Sequence, residues 1–170
     1  MNRSLTIART AALALALAVS ATLPSASRAA AGDAKGTITH KARTVTLAHA
    51  YLVTGPDGLD PKKTVRRIIL SAKDVGAKLR ACQTMSCADG ELMEGLVVDI
   101  DGGPRLNYWM TVNNQLVQYS GTKPPAALRA SADEPKRLAG KLTFDDAQSG
   151  GPKVDVEFDA PLVKEFKAAR

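Results

Sequence analysis

The chain holds two histidines, His40 and His49, and their setting decides what chemistry is open to them. His40 ends the stretch Gly36 to Lys41 (GTITHK), and His49 lies inside Thr44 to Thr54 (TVTLAHAYLVT). Both stretches alternate apolar and polar residues, the period of half-buried strands. A two-residue turn at Ala42-Arg43 pairs His40 with Val45 and Gly36 with His49, so both imidazoles fall on one inner face. Neighbouring imidazoles on a β scaffold suit copper or zinc. Two ligands do not close such a site, and a lone histidine is more often a core-edge residue hydrogen-bonded to backbone. We therefore expect structural histidines, with copper or zinc bound by His40 and His49 as the alternative.

Cys82 and Cys87 are the only cysteines, separated by QTMS. An even pair in an exported chain forms a disulfide, and closing so short a loop contributes about 2 kcal/mol. The spacing is not the C-x-x-C of a redox centre. No G-x-S-x-G is present for nucleophilic catalysis. Asp145, Asp146, Asp155, Glu157 and Asp159 gather around the last two strands, but alternating acids on a strand form a solvated face. Asp99-Ile100-Asp101-Gly102-Gly103 begins like a calcium loop and then places Gly103 where a ligand is required. These readings leave no catalytic constellation and no cofactor, and the expectation is a non-enzymatic protein.

Two features suit contact with a partner instead. Trp109 lies opposite Tyr108 and Met110 on its strand, where an exposed indole makes a platform for a sugar ring or a protein. We expect the 72–90 or 122–135 segment to cover it. Lys62, Lys63, Arg66 and Arg67 are the densest basic stretch after residue 31, suited to an acidic glycan or an anionic lipid head group. Their ordinary role at a strand edge is to discourage sheet-to-sheet association.

The elements that must position these residues follow from the same alternation. The central one is the hairpin Arg105 to Ser120, turning at Asn113-Asn114 and pairing Val112 with Gln115, Met110 with Val117 and Tyr108 with Tyr119. Val65 to Ser71 and Leu92 to Asp101 are further strands. Ser71 caps a short helix over 72–81, weakened by Gly76. Residues 122–135 form a Pro- and Ala-rich crossover with a short edge strand near Leu128. Lys136 to Asp145 points Leu138, Leu142 and Phe144 inward, with Gly140 at a close backbone approach. Val154, Val156 and Phe158 line the last strand, which Pro161 ends, and 162–170 is a frayed turn. The sum is an all-β fold: an antiparallel two-sheet β-sandwich of about seven or eight strands with one short helix.

The first 31 residues follow the order of a signal peptide. Arg3 and Arg9 precede the apolar run Ala11 to Val19, and Pro24 and small residues lead to a cleavage site after Ser27, Ala29 or Ala31. The apolar run is shorter than the roughly 20 residues of a membrane-spanning helix. Residues 32–170 then form a single domain with no transmembrane segment. Without Arg3, Arg9 and Arg28 the 23 basic residues become 20 against 17 acids, so the net charge falls from +6 to +3. That balance excludes nucleic acid as a partner. The location is periplasmic or secreted.

Three stretches carry a resemblance: Ala50-Tyr51 within a strand, Leu70-Ser71 to Asp74 at a strand end, and the hydrophobic-acidic strand VDVEFDAPL at Val154 to Leu162. Over residues 36–162 the chain resembles small exported bacterial β-sandwich proteins of unassigned function. The resemblance implies an exported β-sandwich and brings no catalytic residue. The expected function is binding or structural work in the bacterial envelope, with an envelope protein or a glycan as partner, through Trp109 or the loops at one end. The alternative is a periplasmic copper- or zinc-binding protein.

Overall fold

Alternation along the chain resolves into nine strands and two short helices in a computed structural model that describes residues 32–113, 115 and 117–170. The expected signal peptide, residues 1–31, lies outside the described residues. The strands are β1 (Gly32–His40), β2 (Arg43–Pro56), β3 (Thr64–Ser71), β4 (Gly95–Asp99), β5 (Leu106–Thr111), β6 (Tyr119–Lys123), β7 (Leu128–Glu134), β8 (Arg137–Asp145) and β9 (Lys153–Glu165). Helices α1 (Gly76–Ala81) and α2 (Met85–Gly90) lie between β3 and β4. No helix among the described residues is long and apolar enough to cross a membrane.

Two stacked sheets were expected, but the strands join one continuous sheet in the order β6-β5-β4-β3-β2-β1-β9-β8-β7. Neighbours are antiparallel, apart from a short parallel pairing of β2 with β9 beyond the start of β1. The ladder has no break at which two layers separate, because β1 pairs with β2 on one side and β9 on the other. One apolar face is buried instead by curling the sheet on itself. Tyr108 on β5 and Phe144 on β8 have ring centroids 4.7 Å apart, although five strands lie between them in the ladder. Irregular pairing at Asp33/Gly36 and at Ala130/Ala132 supplies local bends. Pro124 and a single 3-10 turn (Pro125–Ala127) carry the chain from one sheet edge, β6, to the other, β7. The two edges therefore face each other across a short seam, as in a half-barrel.

Ile38, Leu52, Ile68, Leu96, Tyr108, Met110, Leu142 and Val156 are among the side chains filling the concave side. A second apolar cluster, including Tyr51, Ile69, Leu79, Met85 and Phe166, joins both helices and the C-terminal segment to the outer face. Ile68 to Ser71 and Gly95 to Val98 are consequently buried without alternation.

Several local expectations shift for physical reasons. The first hairpin turns at Lys41-Ala42, with Lys41 at φ 54°, so His40 pairs with Arg43 instead of Val45. The second hairpin pairs Met110 with Tyr119 and Tyr108 with Gly121. That slip of two residues keeps every side chain on its face but leaves Val117 exposed. Helix α1 starts at Gly76, whose N–H donates to the Asp74 carboxylate at 2.8 Å, while Ser71 stays in β3. The loop around the cysteines forms a second helix, and 128–134 forms a full edge strand. Strand β9 continues through Pro161, leaving β8 there to meet β2. Gly140 does mark a close approach: a Cβ there would meet the Arg129 carbonyl oxygen at 2.3 Å.

The curl is tied at its rim by Asp146, just after β8. The Tyr108 hydroxyl and the Lys123 ammonium both donate to its carboxylate. Burial opposes the charge on Asp146, but these two donors outweigh it and hold the carboxyl below the usual range. Further along the seam, Arg66 on β3 reaches Asp133 on β7 at 2.5 Å and Asp101 at 2.6 Å. A carboxyl with a depressed folded-state pKa contributes stability above its unfolded value of about 4, and loses it as pH falls through the folded value. Asp146→Asn should therefore lower unfolding stability at neutral pH, with the deficit shrinking below about pH 4. Tyr108→Phe should cost about 1.5–3 kcal/mol. Urea midpoints across a pH series check both; a deficit in Asp146→Asn that persists unchanged at pH 2 would contradict the assignment.

Candidate functional site

With the inner face filled by its own side chains and β2, β3 and β4 covered outside by helices, the outer face of β1, β9, β8 and β7 is left bare. Strand pairing sets its side chains in rows. One row runs Lys35 (β1), Glu157 (β9), Lys141 (β8) and Arg129 (β7). The next row brings Asp159 against Ala139, with Arg137 one pairing further on. Between these rows lies a groove of about 520 Å³, walled by the charged residues and by Asp33, with Ala139, Gly140 and Ser131 at its base. Ala139 and Ser131 are small at this base, and at Gly140 a Cβ would meet the Arg129 carbonyl oxygen at 2.3 Å.

Most of the charges are engaged. Arg137 donates to both oxygens of Asp159 at 2.8 Å, which holds that carboxyl below its ordinary range. Lys141 lies 2.9 Å from Asp155 and 3.7 Å from Glu157. Arg129 and Lys35 make no ion pair with a described residue. Arg129 instead stands directly across the ladder from Lys141, a like-charge pairing that destabilises an edge. The same two cations also line a second depression of about 340 Å³, with Ala126, Ala127, Thr143 and Asp155. They form a cationic ridge between two hollows.

The basic stretch read from the sequence does not form one surface. Lys62 and Lys63 are exposed on the β2–β3 loop, and Arg66 points toward the inner side. Arg67 is only 7 % exposed and points outward beneath α2. Its guanidinium grips Asp99 at 2.6 and 2.9 Å and Asp89 at 2.7 and 2.9 Å. It also lies 4.5 Å above the ring of Trp109. Burial opposes the Arg67 charge, yet the two carboxylates raise its pKa above the usual guanidinium value. Burial pushes the Asp89 carboxyl up against the pull of Arg67. Trp109 is half-buried under this guanidinium, packed on the outer cluster, rather than under the 122–135 segment.

The structure separates the two histidines. His40 is buried, with Nε2 3.1 Å from the Gly150 carbonyl and its ring beside Tyr119 at the inner seam. Irregular pairing after Leu47 shifts the phase of β2, so His49, Tyr51 and Val53 face outward while Ala50 and Leu52 face inward. His49 stacks on Tyr51 at 6.5 Å. Ser71 lies across the ladder from His49, and Asp74 is close by. These are the residue types of a nucleophilic triad, but the Asp74 carboxylate is taken by the Tyr51 hydroxyl at 2.7 Å. Ser71 is 1 % exposed and accepts the Lys73 N–H. Its hydroxyl faces no substrate.

Cys82 and Cys87 form a disulfide that joins the end of α1 to α2. Among the described residues, Cys82, Cys87 and Glu91 are a metal-type group, with ligand atoms within 4.8 Å of one another. The disulfide takes both sulfurs out of that set.

Sequence reasoning passed over the groove because residues 122–135 looked like a crossover, which hid Arg129 and Ser131. The signal was present in part. The last two strands already placed Lys141 with Asp155 and Glu157 by alternation. Comparison with protein-family models, with curated proteins and with solved structures finds no match to this chain.

Removing the cation under α2 should leave two carboxylates without a counter-ion. Arg67→Met is expected to cost about 3–5 kcal/mol, and adding Asp89→Asn and Asp99→Asn should recover part of that loss. Urea unfolding measures both, and Trp109 emission should move to the red in the single variant. A loss under 1 kcal/mol (the scale of a surface pair) would show that the network is not buried in the way described.

Proposed function

We propose that this chain is an exported protein of the bacterial envelope that works by binding, and that its contact surface is the groove on the outer face of β1, β9, β8 and β7. One observation carries the reading: this is the part of the sheet that neither its own core nor the helices cover, and a concavity of about 520 Å³ lies in it. Its lining residues come from β1, β9, β8 and β7, so a ligand lying in it crosses several strands. The base of small residues admits a flat ring, and the mixed charges of the rim offer donors and acceptors to hydroxyl groups. A glycan fits these features best.

Export is supported by the order of residues 1–31 and by the disulfide, since disulfides persist in oxidising compartments. Binding in place of catalysis is supported by the state of the reactive groups. The thiols are joined, Ser71 is buried, and of the groove's acids Asp159 is held by Arg137 and Glu157 lies 3.7 Å from Lys141. Trp109 is not the platform in this reading, because Arg67 occupies its face.

A panel of neutral and acidic oligosaccharides, titrated into the 15N-labelled mature protein, tests the proposal. Amide shifts should cluster at Arg129, Ser131, Ala139 and Lys141. Ser131→Trp, at an exposed base position, should weaken binding about ten-fold or more while leaving the unfolding midpoint unchanged. Shifts centred elsewhere, or binding unaffected by the indole, would overturn the groove as the contact surface.

A further inference from the structure

The cations of the groove set the class of ligand. We infer that it takes a carboxylate-bearing polysaccharide, a uronic-acid chain, anchored by Arg129 and met again by Lys35, the two groove cations without an ion pair to a described residue; this rests on the groove being the contact surface. Arg129 and Lys141 face each other across the β7–β8 ladder with no carboxylate bound to Arg129. Lys141 is already met by Asp155 at 2.9 Å and Glu157 at 3.7 Å, so the unsatisfied cation of this cross-strand pair is Arg129. Arg137 and Asp159 show the same chemistry satisfied within the chain, a guanidinium forked onto both oxygens of a carboxylate. Arg129 presents an unused fork of that kind to solvent.

Spacing selects a polymer over a free ion. Lys35 and Arg129 end a row that crosses three strand spacings, about 14 Å at roughly 4.8 Å each. One carboxylate cannot touch both ends; a short run of charged sugars can. The acids select sugar over acidic peptide. Glu157 and Asp33 stand among the cations, where they accept hydrogen bonds from sugar hydroxyls. A run of aspartates or glutamates has no such donors on its side chains. The hollow beyond the ridge, lined by Ala126, Ala127 and Thr143, continues the track for a chain that crosses Arg129 and Lys141.

Isothermal titration with a galacturonate hexamer and with the same hexamer reduced at its carboxyls to the neutral sugar provides the test. The acidic hexamer should bind about ten-fold or more tighter, and its affinity should fall as salt rises. Arg129→Ala with Lys35→Ala should lose about ten-fold for the acidic hexamer and leave the neutral one unchanged. Both positions are exposed, and an unchanged unfolding midpoint confirms that the variant folds. Equal affinity for the two hexamers, or acidic binding indifferent to the double variant, would overturn the inference. So would a glutamate hexamer that binds more tightly than the galacturonate. If the neutral hexamer alone shifts the groove amides, the contact surface stands and the charge assignment falls; if neither hexamer binds, the uronic-acid assignment falls outright.

Discussion

A single sheet with one apolar face has to hide that face from water, and this chain does so by bringing β5 and β6 round to meet β8. The contact of Tyr108 with Phe144, and the two donors that Asp146 receives from Tyr108 and Lys123, are where that curvature is fixed. Loss of area burial alone would not localise the closure, because apolar contact is non-directional. The hydrogen-bonded carboxylate supplies direction. Arg66 performs the same task further along, tying β3 to Asp133 on the far edge strand. The rest of the structure inherits its shape from these few cross-seam contacts.

Curling has a second consequence, on the convex side. Half of that side, over β2, β3 and β4, is apolar and must be covered, and α1, α2 and the C-terminal segment do it. Those helices are six residues each, too short to be stable alone. They are held by the disulfide, by the Met85 and Ser86 N–H groups donating to the carbonyls of Ala168 and Ala169, and by Arg67 clamping Asp89. The other half of the convex side carries charged residues outward, among them Lys35, Glu157, Lys141 and Arg129, and no helix covers it. The division between covered and bare sheet is thus written in the burial pattern of each strand, and it places the groove.

How much of this was legible in the sequence follows from what alternation can and cannot report. It located eight of the nine strands, the inward set Leu138, Leu142 and Phe144, and the tight approach at Gly140, because period two is a local property. It missed the phase change after Leu47, which carried His49 to the opposite face from His40. A bulge costs one residue and leaves no composition signal. It grouped Lys62, Lys63, Arg66 and Arg67 as one basic patch, whereas one face of β3 sends Arg66 inward and the other sends Arg67 under a helix. It also read two sheets where there is one, since both arrangements bury the same alternating residues and only the long-range pairing of β1 with β9 distinguishes them. The groove was illegible for two reasons: Arg129 and Lys141 meet across the β7–β8 hairpin, which was read as a crossover, and Lys35 joins their row only through the pairing of β1 with β9.

The like-charge pair at the edge weighs between two accounts of the groove. Lysine and arginine on an edge strand keep it from pairing with another sheet, and β7 is an edge. Edge protection requires charge, but it does not require that the cation on the edge strand stand opposite another cation. An acid at position 129 would protect the edge equally and would pair with Lys141 across the ladder. The chain uses acids this way a few residues on, where Asp133 on the same strand takes Arg66. The choice of arginine at 129 forgoes that attraction and leaves a fork pointing at solvent above a hollow. An edge guarded only against aggregation is served by either charge; the proposed carboxylate chain would use the arginine.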